Sequence, residues 1–199
     1  MKIAITGGIG SGKSYVSRLL QQRGFSVYDC DAAAKRLMRT SDNLKAQLSV
    51  LIGPQTYMAD GTLNKAEVAR FLLSSEANAR AIDAIVHPAV AVDFVKSGAT
   101  WMECAILYES GFDRLVDRVV VVTAPEPLRL ERVVQRDGIS MDKAREWLQR
   151  QWPQDEVRRR ADFEIVNDGH TDLEAQLSQL CDWCGQWERT PNNNTPQEQ

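Results

Sequence analysis

The sequence predicts an α/β protein with a mostly parallel five-stranded sheet interrupted by a helical insertion. Three observations carry this expectation. Short β-branched runs alternate with helical patterns at both ends of the chain, the arrangement that produces βαβ units and parallel strands. From about residue 41 to 97, helical patterns succeed one another with no strand between them. The run Val119 to Val122 is apolar without alternation, as expected of a strand covered on both faces.

The elements follow in order. Lys2 to Thr6 is a β-branched run ending at Gly7 and Gly8, a buried strand entering a loop. From Lys13 to Arg23 the residues Val16, Leu19 and Leu20 recur at helical spacing, and Gly24 supplies the stop. Phe25 to Tyr28 is a second strand, closed by Asp29-Cys30-Asp31, and Ala32 to Arg39 is rich in helix formers. Four helices are then predicted over Leu44 to Ile52, Lys65 to Leu73, Glu76 to Val86 and Ala89 to Val95, punctuated by Gly53-Pro54, Asp60-Gly61 and His87-Pro88. Strands resume at Thr100 to Leu107 and Arg118 to Thr123. A helix spans Pro125 to Arg136, with Pro127 in its first turn, where a missing N–H costs least. Ser140 caps a further helix to Gln151, and Phe163 to Val166 is the fifth strand. A capping box at Thr171 to Glu174 opens the last helix, which runs to about Trp187. Residues 189–199, with two prolines and three asparagines but no aliphatic residue, are expected to be a disordered tail.

Composition narrows the function classes. The 199 residues suit a single domain, residues 1–188, with a core of about 1–40 and 98–188. At 43% hydrophobic and 26% charged, the chain is neither disordered nor low-complexity. A net charge of −3 gives no general attraction to nucleic acid or anionic lipid. No apolar run approaches the roughly 18 residues of a membrane span, and no signal-peptide pattern opens the chain. The expectation is a cytoplasmic protein, a monomer or weak homo-oligomer, with no nucleic-acid or membrane partner. Its four cysteines are then not read as a disulfide framework.

The most specific signal is Gly7 to Ser14, which reads Gly-Gly-Ile-Gly-Ser-Gly-Lys-Ser between the first strand and first helix. In such a phosphate loop the glycines let successive N–H groups turn inward around a polyphosphate, and the helix N-terminus adds partial positive charge. Gly8, Gly10, Ser11 and Gly12 form the cradle, Lys13 reaches the β and γ phosphates, and the Ser14 hydroxyl is a ligand for Mg²⁺. The fold class becomes a P-loop NTPase-type three-layer fold. A nucleotide site alone does not separate a kinase from a switch or a motor. Asp29 and Asp31 fall at the carboxyl edge of the neighbouring strand, where open α/β sheets place their ligands. One aspartate caps the following helix, and Asp31 is the preferred catalytic base. Arg129, Arg132 and Arg136 share a helix face, and Arg132 and Arg136 are singled out to meet a transferring phosphoryl group.

Taken together these motifs resemble the dephospho-coenzyme A kinase family. The resemblance rests on the phosphate loop, Asp29 and Asp31, Ile85 to Pro88 around His87, Ile106 to Glu109, Arg136 to Gly138, Gln151, and the close Ala161 to Gly169. It implies ATP and Mg²⁺ as cofactors and the ribose 3′-hydroxyl of dephospho-coenzyme A as acceptor, with Asp31 as base and Lys13 and Arg136 also catalytic. It further implies nucleotide contacts from Tyr15, Arg132, Asn167 and Gly169. Substrate contacts come from Asp29, Lys65, His87 and Glu109, with residues 41–97 holding substrate and about 136–160 acting as a lid. Tyr15, Lys65 and Ala105 depart from the usual small residue, Arg and Pro. The competing readings are a nucleoside or nucleotide kinase of the same architecture and a nucleotide-dependent switch without a small-molecule acceptor.

Overall fold

The computed structural model describes residues 1–188, so the predicted tail lies outside the described residues. Five strands form one sheet: β1 (Ile3–Thr6), β2 (Val27–Asp29), β3 (Trp101–Glu103), β4 (Arg118–Thr123) and β5 (Phe163–Val166). Their order is β2-β3-β1-β4-β5, and every pairing is parallel. Parallel strands bury both faces, and side chains alternate between them. Ile3, Ile5, Trp101, Val120, Val122 and Ile165 meet one helical layer, α1 (Lys13–Gln22) and α9 (Leu173–Glu188). Ala4, Met102 and Val119 face the other layer with Leu44, Leu48, Val90 and Phe94. That second layer comprises α2 (Cys30–Thr40), α3 (Asp42–Ile52), α4 (Lys65–Ser74) and α5 (Glu76–Ser97). Beyond β4 lie α6 (Glu126–Asp137), α7 (Met141–Gln149) and α8 (Gln154–Arg160). Among the described residues no helix is long and apolar enough to cross a membrane.

Several boundaries differ from the sequence reading. The two helices expected on either side of His87-Pro88 are one helix of 22 residues with Pro88 inside it. Proline removes one hydrogen bond and crowds the carbonyl four residues back, at about 3 kcal/mol. The buried stripe Ile82, Val86, Val90 and Phe94 crosses the proline without interruption, and each such side chain contributes about 1.5–3 kcal/mol on burial. Packing therefore overrides the break. The strand predicted over Thr100 to Leu107 ends at Glu103. Cys104 N–H still reaches the Ile5 carbonyl at 3.0 Å, but β1 ends at Thr6, where the glycine loop begins, and the ladder loses its partner. The capping box at Thr171 is also replaced: Asp172 accepts from the amides of Glu174 and Ala175 at 3.0 and 3.1 Å, while the Thr171 hydroxyl donates to Asp168. A carboxylate outcompetes a hydroxyl as the acceptor for orphan amides. Ser140 does cap α7, accepting from Lys143 N–H.

Because all strands run one way, their carboxyl ends share one edge. The pairs Ile5–Glu103, Asp29–Glu103 and Thr123–Val166 set the loops after β1, β2, β3, β4 and β5 side by side there. The turn out of β1 leaves no room for a side chain. A Cβ on Gly7, at φ +151°, would lie 2.4 Å from the Val122 carbonyl oxygen in the central sheet. Gly61, at φ +80°, has nothing within 4 Å of its Cβ position. Gly7→Ala is therefore expected to cost about 2 kcal/mol or more and lower the thermal midpoint by roughly 4–8 °C in a chain of this size. Gly61→Ala carries only backbone strain, about 1 kcal/mol. Calorimetry of the two variants separates clash from strain, and equal losses would refute the clash.

Candidate active site

The glycine loop wraps the β1–α1 junction, and side chains from distant elements fix its backbone. Arg129, 7% exposed on α6, donates from Nε to the Ile9 carbonyl at 3.0 Å. A Cβ on Gly8 would lie 2.3 Å from its guanidinium, and one on Gly10 would lie 2.4 Å from its carbonyl oxygen. Arg132 reaches the carbonyls of Gly10, Ser11 and Asn167 at 3.3, 3.4 and 3.1 Å. The Asn167 side chain donates to the Ser11 carbonyl at 2.8 Å. These contacts face the loop's carbonyls outward and leave its interior to N–H groups. Inside the loop the Ser11 amide bonds to the Gly8 carbonyl. Among the described residues no protein acceptor takes the amides of Gly10, Gly12, Lys13 or Ser14, so four donors converge where a polyphosphate would sit.

Charge at the site is arranged around Lys13. Burial pulls its ammonium below the usual lysine range, Glu103 opposes that pull, Arg136 adds to it, and Asp31 opposes it. Those neighbours place two carboxylates and two cations within electrostatic reach of one another. Ser14 Oγ donates to Glu103 Oε1 at 2.5 Å, and Glu103, at the end of β3, is only 9% exposed. A serine hydroxyl beside a buried carboxylate is a hard-oxygen donor set. It suits magnesium, which takes one or two protein oxygens and fills its shell with phosphate oxygens and water.

The two aspartates after β2 have separate positions. Asp29 caps α2, accepting from Ala32 N–H at 2.9 Å. Asp31 lies two residues on, in the first turn of α2, with its carboxylate 82% exposed and, among the described residues, paired with Lys35 at 2.6 Å. An exposed pair of this kind is worth about 1 kcal/mol or less, so the carboxylate is available to a ligand. Between them Cys30 points into the core, where a hydrogen bond with Cys104 and burial push its thiol well above the usual range.

The remaining expected residues divide. Glu109 lines a cleft with Gly7, Gly8, Tyr108 and Gln151, beside the phosphate loop. Arg136 acts on Lys13 while pairing with Asp137 at 2.7 Å. His87, on α5, stands edge-on to Phe112 at 5.6 Å, with Asp83 3.5 Å from Nε2. Gly169 turns at φ +85° between Asn167 and α9. In that turn the amides of Thr171 and His170 hold the Asp168 carboxyl down to about 2. Tyr15 is 48% exposed on α1, under the Arg18 guanidinium. Lys65 is exposed at the start of α4; among the described residues it does not meet the loop. Three residues were not singled out from the sequence for the roles they hold: Glu103, Arg129 and Gln151. Arg129 was signalled by its helical spacing from Arg132; Glu103 carried no such signal, because the strand predicted to Leu107 places it in mid-strand.

Comparison with known proteins gives a consistent answer. The family model described as dephospho-CoA kinase matches residues 1–172. A Bacteroides fragilis dephospho-CoA kinase is 39% identical over 187 residues, covering 90% of this chain and 91% of its own. A crystal structure from Thermus thermophilus superposes with a TM-score of 0.77 at 30% identity, covering 96% of this chain and 98% of that one. A Campylobacter jejuni dephospho-CoA kinase shares the fold at a TM-score of 0.68 and 20% identity, over 94% of this chain and 100% of that one.

Proposed function

The chain belongs to the dephospho-CoA kinase family, and from that premise we propose that it transfers the γ-phosphoryl group of ATP to the ribose 3′-hydroxyl of dephospho-CoA, giving CoA and ADP. The observation that carries the mechanism is the meeting of Lys13, Asp31, Arg136 and the Ser14–Glu103 pair at one edge of the sheet. The free amides of Gly10, Gly12, Lys13 and Ser14 take the phosphate oxygens of ATP, with Tyr15, Arg132, Asn167 and Gly169 around them. Ser14 and Glu103 are the groups that would hold Mg²⁺, which when bound neutralises charge on the β and γ oxygens.

Asp31 accepts the proton as the 3′-oxygen forms its bond to the γ phosphorus and the bond from that phosphorus to the bridging oxygen breaks. Its exposure suits this role, because the acceptor must approach from the open side of the cleft. Lys13 and Arg136 meet the charge gathering on the transferring group. Asp29, Lys65, His87 and Glu109 are assigned to the acceptor, with residues 41–97 forming its seat and 136–160 a lid. The enzyme works in the cytoplasm, as a monomer or weak homo-oligomer, on this small molecule.

Purified protein with ATP and Mg²⁺ is expected to form ADP and CoA in equal amounts when dephospho-CoA is added, and to release little ADP otherwise. Faster turnover on free nucleosides or nucleotides would overturn the acceptor assignment. Equal ADP release with and without any acceptor would overturn the kinase reading.

A further inference from the structure

Gln151 and Trp152, between α7 and α8, and Gln154 and Arg160, the first and last residues of α8, touch three of the loops at the carboxyl edge. Gln151 Oε1 accepts the Ile9 N–H of the phosphate loop at 2.6 Å. Trp152 stacks on Tyr108, with ring centroids 5.7 Å apart and planes 13° from parallel. The Arg160 guanidinium lies over both rings, 4.6 Å from the tryptophan and 5.6 Å from the tyrosine. Gln154 Oε1 accepts the Ala124 N–H beyond β4, at 3.2 Å. Tyr108 belongs to the turn that carries Glu109, so the segment joins the nucleotide side of the cleft to its acceptor side.

Ile9 is the position this strap controls. Its carbonyl is held by Arg129, its amide by Gln151, and its side chain packs against Leu130, Val133 and Ala144 of α6 and α7. It lies between Gly8 and Gly10, where an unrestrained backbone samples many conformations. We propose that Gln151 is a positioning residue for phosphoryl transfer: through the Ile9 amide it sets the outer turn of the phosphate loop against the acceptor-side turn, and the Trp152–Tyr108 stack holds Gln151 in place. The proposal rests on the kinase reading above. The amides from Gly10 to Ser14 do not depend on this bond, so its loss loosens the alignment of the two reactants and spares the grip on ATP. Alignment matters to rate because a misplacement of about 1 Å can cost about a hundredfold.

The test compares kcat and ATP Kd for the wild type, Gln151→Met, Trp152→Ala, Trp152→Phe and the double variant Gln151→Met/Trp152→Ala. Methionine keeps the length of glutamine and removes the acceptor oxygen. Gln151→Met and Trp152→Ala are each expected to lower kcat by about tenfold, with ATP Kd, measured calorimetrically, within about twofold of wild type. Trp152→Phe, which keeps a ring against Tyr108, recovers most of the loss of Trp152→Ala. The double variant falls no further than either single change, because both act through one hydrogen bond. Wild-type kcat in Gln151→Met, losses that multiply in the double variant, or ATP affinity falling in step with kcat would each overturn the positioning role. A wild-type enzyme inactive on dephospho-CoA would instead overturn the kinase reading.

Discussion

Asp31→Ala is expected to lower kcat by about two to four orders of magnitude, the range lost with a general base, and to leave ATP Kd within about twofold. The two effects separate because Asp31 stands outside the loop that grips phosphate and reaches it only through the electrostatic neighbourhood of Lys13. Its ionic partner among the described residues, Lys35, is exposed, so little stability is lost with the carboxylate. Asp29→Ala is the contrasting change. Asp29 caps α2 through the Ala32 amide, and removing a cap costs about 1 kcal/mol of stability. Rapid-quench measurement of phosphoryl transfer at saturating dephospho-CoA, where a weaker acceptor contact from Asp29 is compensated, paired with thermal unfolding, therefore distinguishes the base from the cap two residues away. An Asp31→Ala enzyme with wild-type kcat would remove this carboxylate from the reaction.

The sequence exposed the parts of this site that local chemistry dictates. A glycine-rich run closed by Lys13 and Ser14 has few uses besides wrapping an anion, and its position after a β-branched strand puts it at the sheet edge on sequence grounds alone. The uninterrupted apolar runs Ile3–Ile5 and Val119–Val122 made the buried sheet legible for a similar reason, since strands covered on both faces carry no polar alternation. What stayed hidden depends on contacts distant in sequence. Gln151 meets Ile9 across 142 residues and Ser14 meets Glu103 across 89; neither pairing follows from spacing. The helix through Pro88 departs from the sequence expectation because a local breaker is visible in sequence, whereas the stripe that overrides it becomes decisive only when α2, α3 and α4 pack on it. Arg129 and Arg132 looked alike as helical neighbours, yet Arg129 is buried against the loop backbone while Arg132 also ties Asn167 to it.

Lys13→Met is expected to be the most damaging single change to turnover, lowering kcat/KM by about a thousandfold or more, the scale lost with a preorganised cation at a transferring phosphoryl group. Its effect on the unliganded protein should have the opposite sign. Burial holds the Lys13 pKa below 10.5 in the folded chain, so the unfolded chain binds this proton more tightly, and stability associated with this group rises as pH climbs from the lowered value towards 10.5. Methionine removes that desolvation cost while keeping an unbranched side chain in place. The variant should therefore unfold no earlier than wild type without nucleotide, and its stability should lose the pH dependence contributed by Lys13. Nucleotide reverses the ranking. Saturating Mg²⁺–ATP at a hundred times Kd stabilises a binding-competent chain by about 2.7 kcal/mol, and Lys13→Met should forfeit most of that shift at the same concentration. Thermal unfolding with and without Mg²⁺–ATP between pH 7 and 10 reads both effects. A variant that is less stable than wild type without ligand, yet equally stabilised by nucleotide, would show that Lys13 serves the fold rather than the phosphates.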